Sequence, residues 1–87
     1  MWKIEFDADV EKDLKKLGHT ASKRIIKFLK EKIIPIEDPR AVGKPLSGDL
    51  SGLWRYRVGD YRIIAQIEDN NFVILVVHVG HRKNVYE

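Results

Sequence analysis

The chain has 87 residues, 44% of them hydrophobic, no cysteine, and a formal charge of +3 with a pI near 9.3. That length leaves room for one domain, 1–87, built around one compact core. The missing cysteine excludes a disulfide framework, a thiolate zinc site and a cysteine nucleophile, no apolar run nears the ~20 residues of a membrane-spanning helix, and the basic balance suits phosphate-bearing partners only where the charges cluster.

Residues 2 to 7 alternate, with Trp2, Ile4 and Phe6 on one face and Lys3, Glu5 and Asp7 on the other, which predicts a half-buried strand. This start lacks the basic-then-apolar order of a secretory signal, so the chain is expected to stay in the cytoplasm, away from membranes. Asp7 or Asp9 can cap a helix that carries Val10, Leu14 and Leu17 on one stripe and ends at Gly18. A second helix, capped by Thr20, turns Ala21, Ile25, Phe28, Leu29 and Ile33 inward and stops before Pro35. His19, between the helices, reads as a surface residue. The Pro- and Gly-rich stretch 35–52 predicts an irregular connection tacked down by Val42, Leu46 and Leu50. Three strands of a meander follow, over 53–58, 61–67 and 72–79, separated by the turn sequences Gly59-Asp60 and Asp69-Asn70-Asn71. The order βααβββ predicts an α+β fold: an N-terminal strand, then an antiparallel helical hairpin packed on an antiparallel β-meander.

A two-residue loop at Gly59-Asp60 sets Val58 opposite Tyr61, and behind it Arg57 opposite Arg62, Tyr56 opposite Ile63, Arg55 opposite Ile64 and Trp54 opposite Ala65. One face then collects Trp54, Tyr56, Val58, Tyr61, Ile63, Ala65 and Ile67 for the helices to cover. The other collects Arg55, Arg57 and Arg62. Like charges directly across a ladder repel by up to ~1 kcal/mol, so folding alone would favour Thr or Glu there. The alternative is a solvated face neutralised by Asp60 or Glu68. Guanidinium groups stay charged and offer a planar fork of donors matched to phosphate oxygens, so the face reads as a phosphate clamp.

After the last strand come Gly80, His81, Arg82, Lys83, Asn84, Val85, Tyr86 and Glu87. His78, alternating with Val77 and Val79, reads as a packed, hydrogen-bonded histidine. His81 reads equally as a functional group or a solvated tail residue, and Tyr86 as tail packing or as a stacking platform for a base. No H-E-x-x-H spacing, G-x-S-x-G elbow or glycine-rich phosphate loop is present, and no metal or other cofactor is expected.

The stretch from Leu46 to Ile63, LSGDLSGLWRYRVGDYRI, resembles the core signature of the RelE/ParE superfamily of bacterial toxins, and the tail Val79–Tyr86 resembles its RelE branch. The resemblance covers essentially the whole chain. It implies a ribonuclease acting on messenger RNA in the ribosomal A site, restrained by an antitoxin from the same operon, and cleaving without a metal by attack of the RNA 2′-hydroxyl on the adjacent phosphate. It implies further that Arg62 and Arg82 stabilise charge on the phosphorane and that Tyr86 stacks on or orients the scissile nucleotide. Arg55 and Arg57 stand where the best-known members carry lysines. Arginine cannot accept a proton as a lysine of lowered pKa can, so His81 becomes the candidate for proton transfer. Lys44, Lys83, Arg55 and Arg57 complete the expected RNA contacts. The ParE branch, which shares the fold but inhibits DNA gyrase, is the second reading, and a non-catalytic RNA-binding module the third.

Overall fold

The computed structural model describes residues 1–81, beginning with β1 (Lys3–Phe6). The Asp7 carboxylate accepts from the Asp9 amide at 3.1 Å and caps α1 (Ala8–Leu17), whose first turn carries Asp9 and Glu11 and whose last carries Lys15 and Lys16, matching the helix dipole. Gly18, at φ 93°, closes α1 and opens α2 (His19–Phe28) directly. A one-residue reversal leaves Thr20 inside the helix, so α2 has no side-chain cap and the predicted cap at Thr20 does not form. Instead, the Ser22 hydroxyl donates to the Leu14 carbonyl at 2.7 Å and ties the two helices together. Beyond Phe28 the chain widens into a π-type turn over Leu29–Ile33, closed by the Ile34 amide on the Leu29 carbonyl at 3.0 Å, and both Leu29 and Ile33 remain buried.

The sheet consists of β1, β2 (Lys44–Pro45), β3 (Trp54–Val58), β4 (Tyr61–Glu68) and β5 (Val73–His81) in the order β1-β5-β4-β3-β2. The meander β3–β4–β5 is antiparallel as expected, and β2 adds a short strand inside the predicted irregular connection. β1 lies parallel to β5, which makes the sheet mixed. Parallel pairing needs a long crossover, and the helical hairpin together with the meander supplies it. The hairpin covers one sheet face, where Val10, Ile25, Leu29 and Ile33 meet Tyr56, Ile63, Ala65, Ile74, Val76 and Val79.

The connection 35–52 is held less by Val42, Leu46 and Leu50, all only partly buried, than by three aromatic donors. The Trp2 indole donates to the Glu37 carbonyl at 3.0 Å, the Tyr56 hydroxyl to Pro39 at 2.8 Å and the Trp54 indole to Val42 at 2.7 Å. Arg40 adds a bidentate pair to Asp69 at 2.9 and 3.0 Å, which holds the Asp69 carboxyl below its ordinary range. These bonds deliver Lys44 to its place beside β3.

Tyr56 is fully buried, and burial holds its phenol protonated well above the usual tyrosine range. An acid whose folded pKa is raised contributes stability that is complete below the unfolded value, about 10, and is lost as pH rises beyond it. Tyr56→Phe should cost about 1–2 kcal/mol at neutral pH, because the Pro39 carbonyl loses its donor, and should flatten the decline of the thermal midpoint between pH 9 and 12. Thermal melts of both proteins across that range measure it.

Candidate functional site

The β3–β4 register is the one the two-residue turn predicts: Val58 opposite Tyr61, Arg57 opposite Arg62, Tyr56 opposite Ile63, Arg55 opposite Ile64 and Trp54 opposite Ala65. Tyr56, Val58 and Ile63 are buried under the helices, so Arg55, Arg57 and Arg62 share the face the helices leave uncovered. Neighbouring strands extend this face into two rows. Lys44 pairs with Arg55, Arg55 with Ile64 and Ile64 with His78; beside that row, Arg57 pairs with Arg62 and Arg62 with Gly80. Lys44, Arg55, Arg57 and Arg62 therefore stand together, with the buried Ile64 as an apolar floor and Gly80 contributing no side chain next to Arg62.

Arg57 and Arg62 form no ion pair with Asp60, Glu68 or any other carboxylate among the described residues. The exposed Arg57 turns its Nε to the Gly59 carbonyl at 3.4 Å. Arg62 is partly buried, and its Nη1 is buried without a hydrogen-bond partner among the described residues. A buried donor without an acceptor costs roughly 1–3 kcal/mol, and a charged one more. Placed opposite a second arginine, it is a preorganised donor for an anionic oxygen that no described residue provides. Arg24 of α2 lies across the β3–β4 turn: a Cβ on Gly59 would come 2.7 Å from its Nη2.

His81 does not join this face. It pairs with Tyr61, and the two rings meet edge-on with centroids 5.9 Å apart, on the side of the sheet that carries the helices. His78 does join it, paired with Ile64, but its side chain is 42% exposed rather than packed. Its Nδ1 lies 2.8 Å from Asp13 Oδ2, across 65 positions of chain that no local pattern links. Arg82, Lys83 and Tyr86 lie outside the described residues.

A family model described as the ParE toxin of type II toxin-antitoxin systems, parDE, matches residues 4–86. The toxins RelE and RelG of Mycobacterium tuberculosis are each 29% identical over 83 residues; the matched region spans 95% of this chain, 84% of RelE and 93% of RelG. Among solved structures, the toxin–antitoxin complex RelBE2 of M. tuberculosis superposes with a TM-score of 0.84 at 28% identity, covering 95% of this chain and 93% of that one. The archaeal RelE–RelB complex of Pyrococcus horikoshii gives 0.65 at 26% identity, covering 97% and 98%. With the family model spanning nearly every residue and the RelE fold reproduced over the same span, this chain belongs to the RelE/ParE family of toxins of type II toxin–antitoxin systems.

Proposed function

We propose that this toxin is an endoribonuclease that cleaves messenger RNA at the ribosomal A site, without a metal ion, by attack of a 2′-hydroxyl on the adjacent phosphate, and so stops translation in the cytoplasm. The observation that carries the reading is the opposed pair Arg57–Arg62 with Arg62 Nη1 buried and unpartnered. Phosphate oxygens would satisfy that donor, and a phosphorane, which bears more charge, would satisfy it better. Lys44 and Arg55 flank the pair and suit the neighbouring phosphates. Arg82 and Tyr86 are assigned to charge stabilisation and nucleotide orientation on the resemblance of the tail. No helix among the described residues is long and apolar enough to cross a membrane, consistent with a cytoplasmic target. The partner is a cognate antitoxin protein, as in the RelBE2 and RelE–RelB complexes of the related toxins. It need only cover the arginine face or displace the tail to silence the enzyme.

A second reading, a non-catalytic inhibitor of DNA gyrase, is favoured by the ParE description of the matching family model. Toxin freed of antitoxin, incubated with messenger RNA with and without ribosomes and separately with gyrase and plasmid DNA, separates the two. Ribosome-stimulated scission of the message is expected. Gyrase poisoning over intact RNA would select the second reading, and RNA binding with neither effect would leave a non-catalytic RNA-binding module.

A further inference from the structure

Along β5, Ile74 and Val76 point into the core, and strict alternation would carry His78 in after them. It does not, because the β4–β5 register breaks: Ile64 faces His78 while Ala65 faces Val76, which leaves Val77 as an extra residue. A one-residue bulge exchanges the faces of everything beyond it. Val79 becomes the core residue, 2% exposed, and His78 moves to the face of Arg55 and Arg62, diagonal to Arg62 across the ladder. Diagonal neighbours lie about 7–8 Å apart at the backbone, within reach of an arginine and a histidine acting on one phosphodiester.

β1 ends its pairing at Phe6 and Val76, so the rest of β5 has a free edge, and α1 runs alongside it. Asp13 fills that edge. Its Oδ2 accepts from the Val79 amide at 3.2 Å and lies 2.8 Å from His78 Nδ1. Nδ1 is the ring nitrogen turned to the carboxylate, and Nε2 lies on the far side of the ring from it. The carboxylate, held by the Val79 backbone amide, sets a fixed negative charge against the imidazole. Asp13, Lys16, Leu17, His78, Gly80 and His81 line an open groove of about 360 Å³ there.

We propose that His78, held by Asp13, is the proton carrier of the cleavage reaction; this rests on the ribonuclease reading above. Nε2 takes the proton of the attacking 2′-hydroxyl as the 2′-oxygen bonds to phosphorus. The bond from phosphorus to the 5′-oxygen breaks, its electron pair leaving with that oxygen, which takes a proton from solvent. A 2′,3′-cyclic phosphate and a 5′-hydroxyl result, and His78 returns its proton to water when product departs. Asp13 is the positioning residue. The arginines stabilise charge but cannot accept the proton, which the sequence had assigned to His81.

The test is single-turnover cleavage of ribosome-bound message by the wild type, His78→Gln, His78→Ser and Asp13→Asn, with ribosome binding measured in parallel and each rate followed from pH 5 to 9. Among the described residues, the charged and titratable groups around the ring are Asp13 and Lys16 of α1, His81 of β5, and Arg55 and Arg62 of the sheet face. Either His78 variant is expected to lose about 100-fold or more in rate, with binding changed less than about threefold, and to lose one limb of the pH profile. Asp13→Asn is expected to lose about 10-fold and to shift that limb. A folded His78 variant that cleaves within threefold of the wild type, with an unchanged profile, overturns the proposal while the ribonuclease reading stands. A wild type that never cleaves the message overturns both.

Discussion

Arg62→Met is expected to lower single-turnover cleavage by about 10²- to 10³-fold, the usual loss when one preorganised donor to a charged transition state is removed, while the folded state becomes no less stable. Methionine keeps the apolar stem over the sheet and deletes two liabilities of the wild-type fold: a buried Nη1 without an acceptor and a positive charge facing Arg57. Relief of an unsatisfied buried donor is worth on the order of 1 kcal/mol, which for a domain of this size raises the thermal midpoint by roughly 4–8 °C. Stability given up at one residue for a reaction is what a functional site looks like, and only activity and stability measured together reveal it. Cleavage in a reconstituted translation reaction and a thermal melt of the same preparation supply both numbers. A variant that cleaves normally, or one that melts well below the wild type, would show that Arg62 serves the fold.

Gly43→Ala is expected to be the most damaging single-methyl change in the connection. Gly43 sits at φ 84°, where an L residue is strained, and an added Cβ would overlap the Arg55 carbonyl oxygen and come 2.7 Å from Trp54 Nε1 and 3.0 Å from Tyr56 Cδ1. None of these neighbours can retreat cheaply. The carbonyl belongs to β3, the indole is bonded to Val42, and Tyr56 is fully buried. Strain of about 1–2 kcal/mol from the left-handed backbone, added to the overlap, should bring the loss to roughly 3 kcal/mol or more, a large fraction of the 5–15 kcal/mol that holds a typical domain together. Gly59→Ala is the control. Its φ is 58° and its Cβ would also meet an atom at 2.7 Å, but that atom ends the flexible Arg24 side chain, which can swing aside. The Gly59 variant should lose only the backbone term, about 1 kcal/mol. Urea unfolding of both measures the difference; equal losses would mean that backbone strain alone matters at Gly43. Because Gly43 precedes Lys44, the first variant should also weaken RNA binding when it is folded at low temperature.

The arginine cluster was legible because it depends on two local rules. The length of the turn at Gly59-Asp60 sets the β3–β4 register, and alternation then sorts Arg55, Arg57 and Arg62 from Tyr56, Val58 and Ile63. His81 stands on the helix side of the sheet for a related reason. Its neighbours in sequence suggested the arginine face, but its side of the sheet depends on β5, where Val77 interrupts the alternation. The same interruption hid His78, whose apolar flanks mimic a core strand. A bulge is a compromise between two strands and leaves no mark in either one alone.

By itself, then, the sequence determined the order βααβββ of the longer elements, the two helices with the stop at Gly18, the meander and the paired arginines, because caps, turns and periodicity act over a few residues. Tertiary structure alone decided the parallel docking of β1 on β5, the aromatic bonds from Trp2, Trp54 and Tyr56 that fasten the connection, and the pairing of Asp13 with His78. These contacts join residues 12 to 70 positions apart. The chain must first close those loops, and which polar groups then meet is settled by how the helical hairpin seats on the sheet and leaves the edge of β5 open to Asp13.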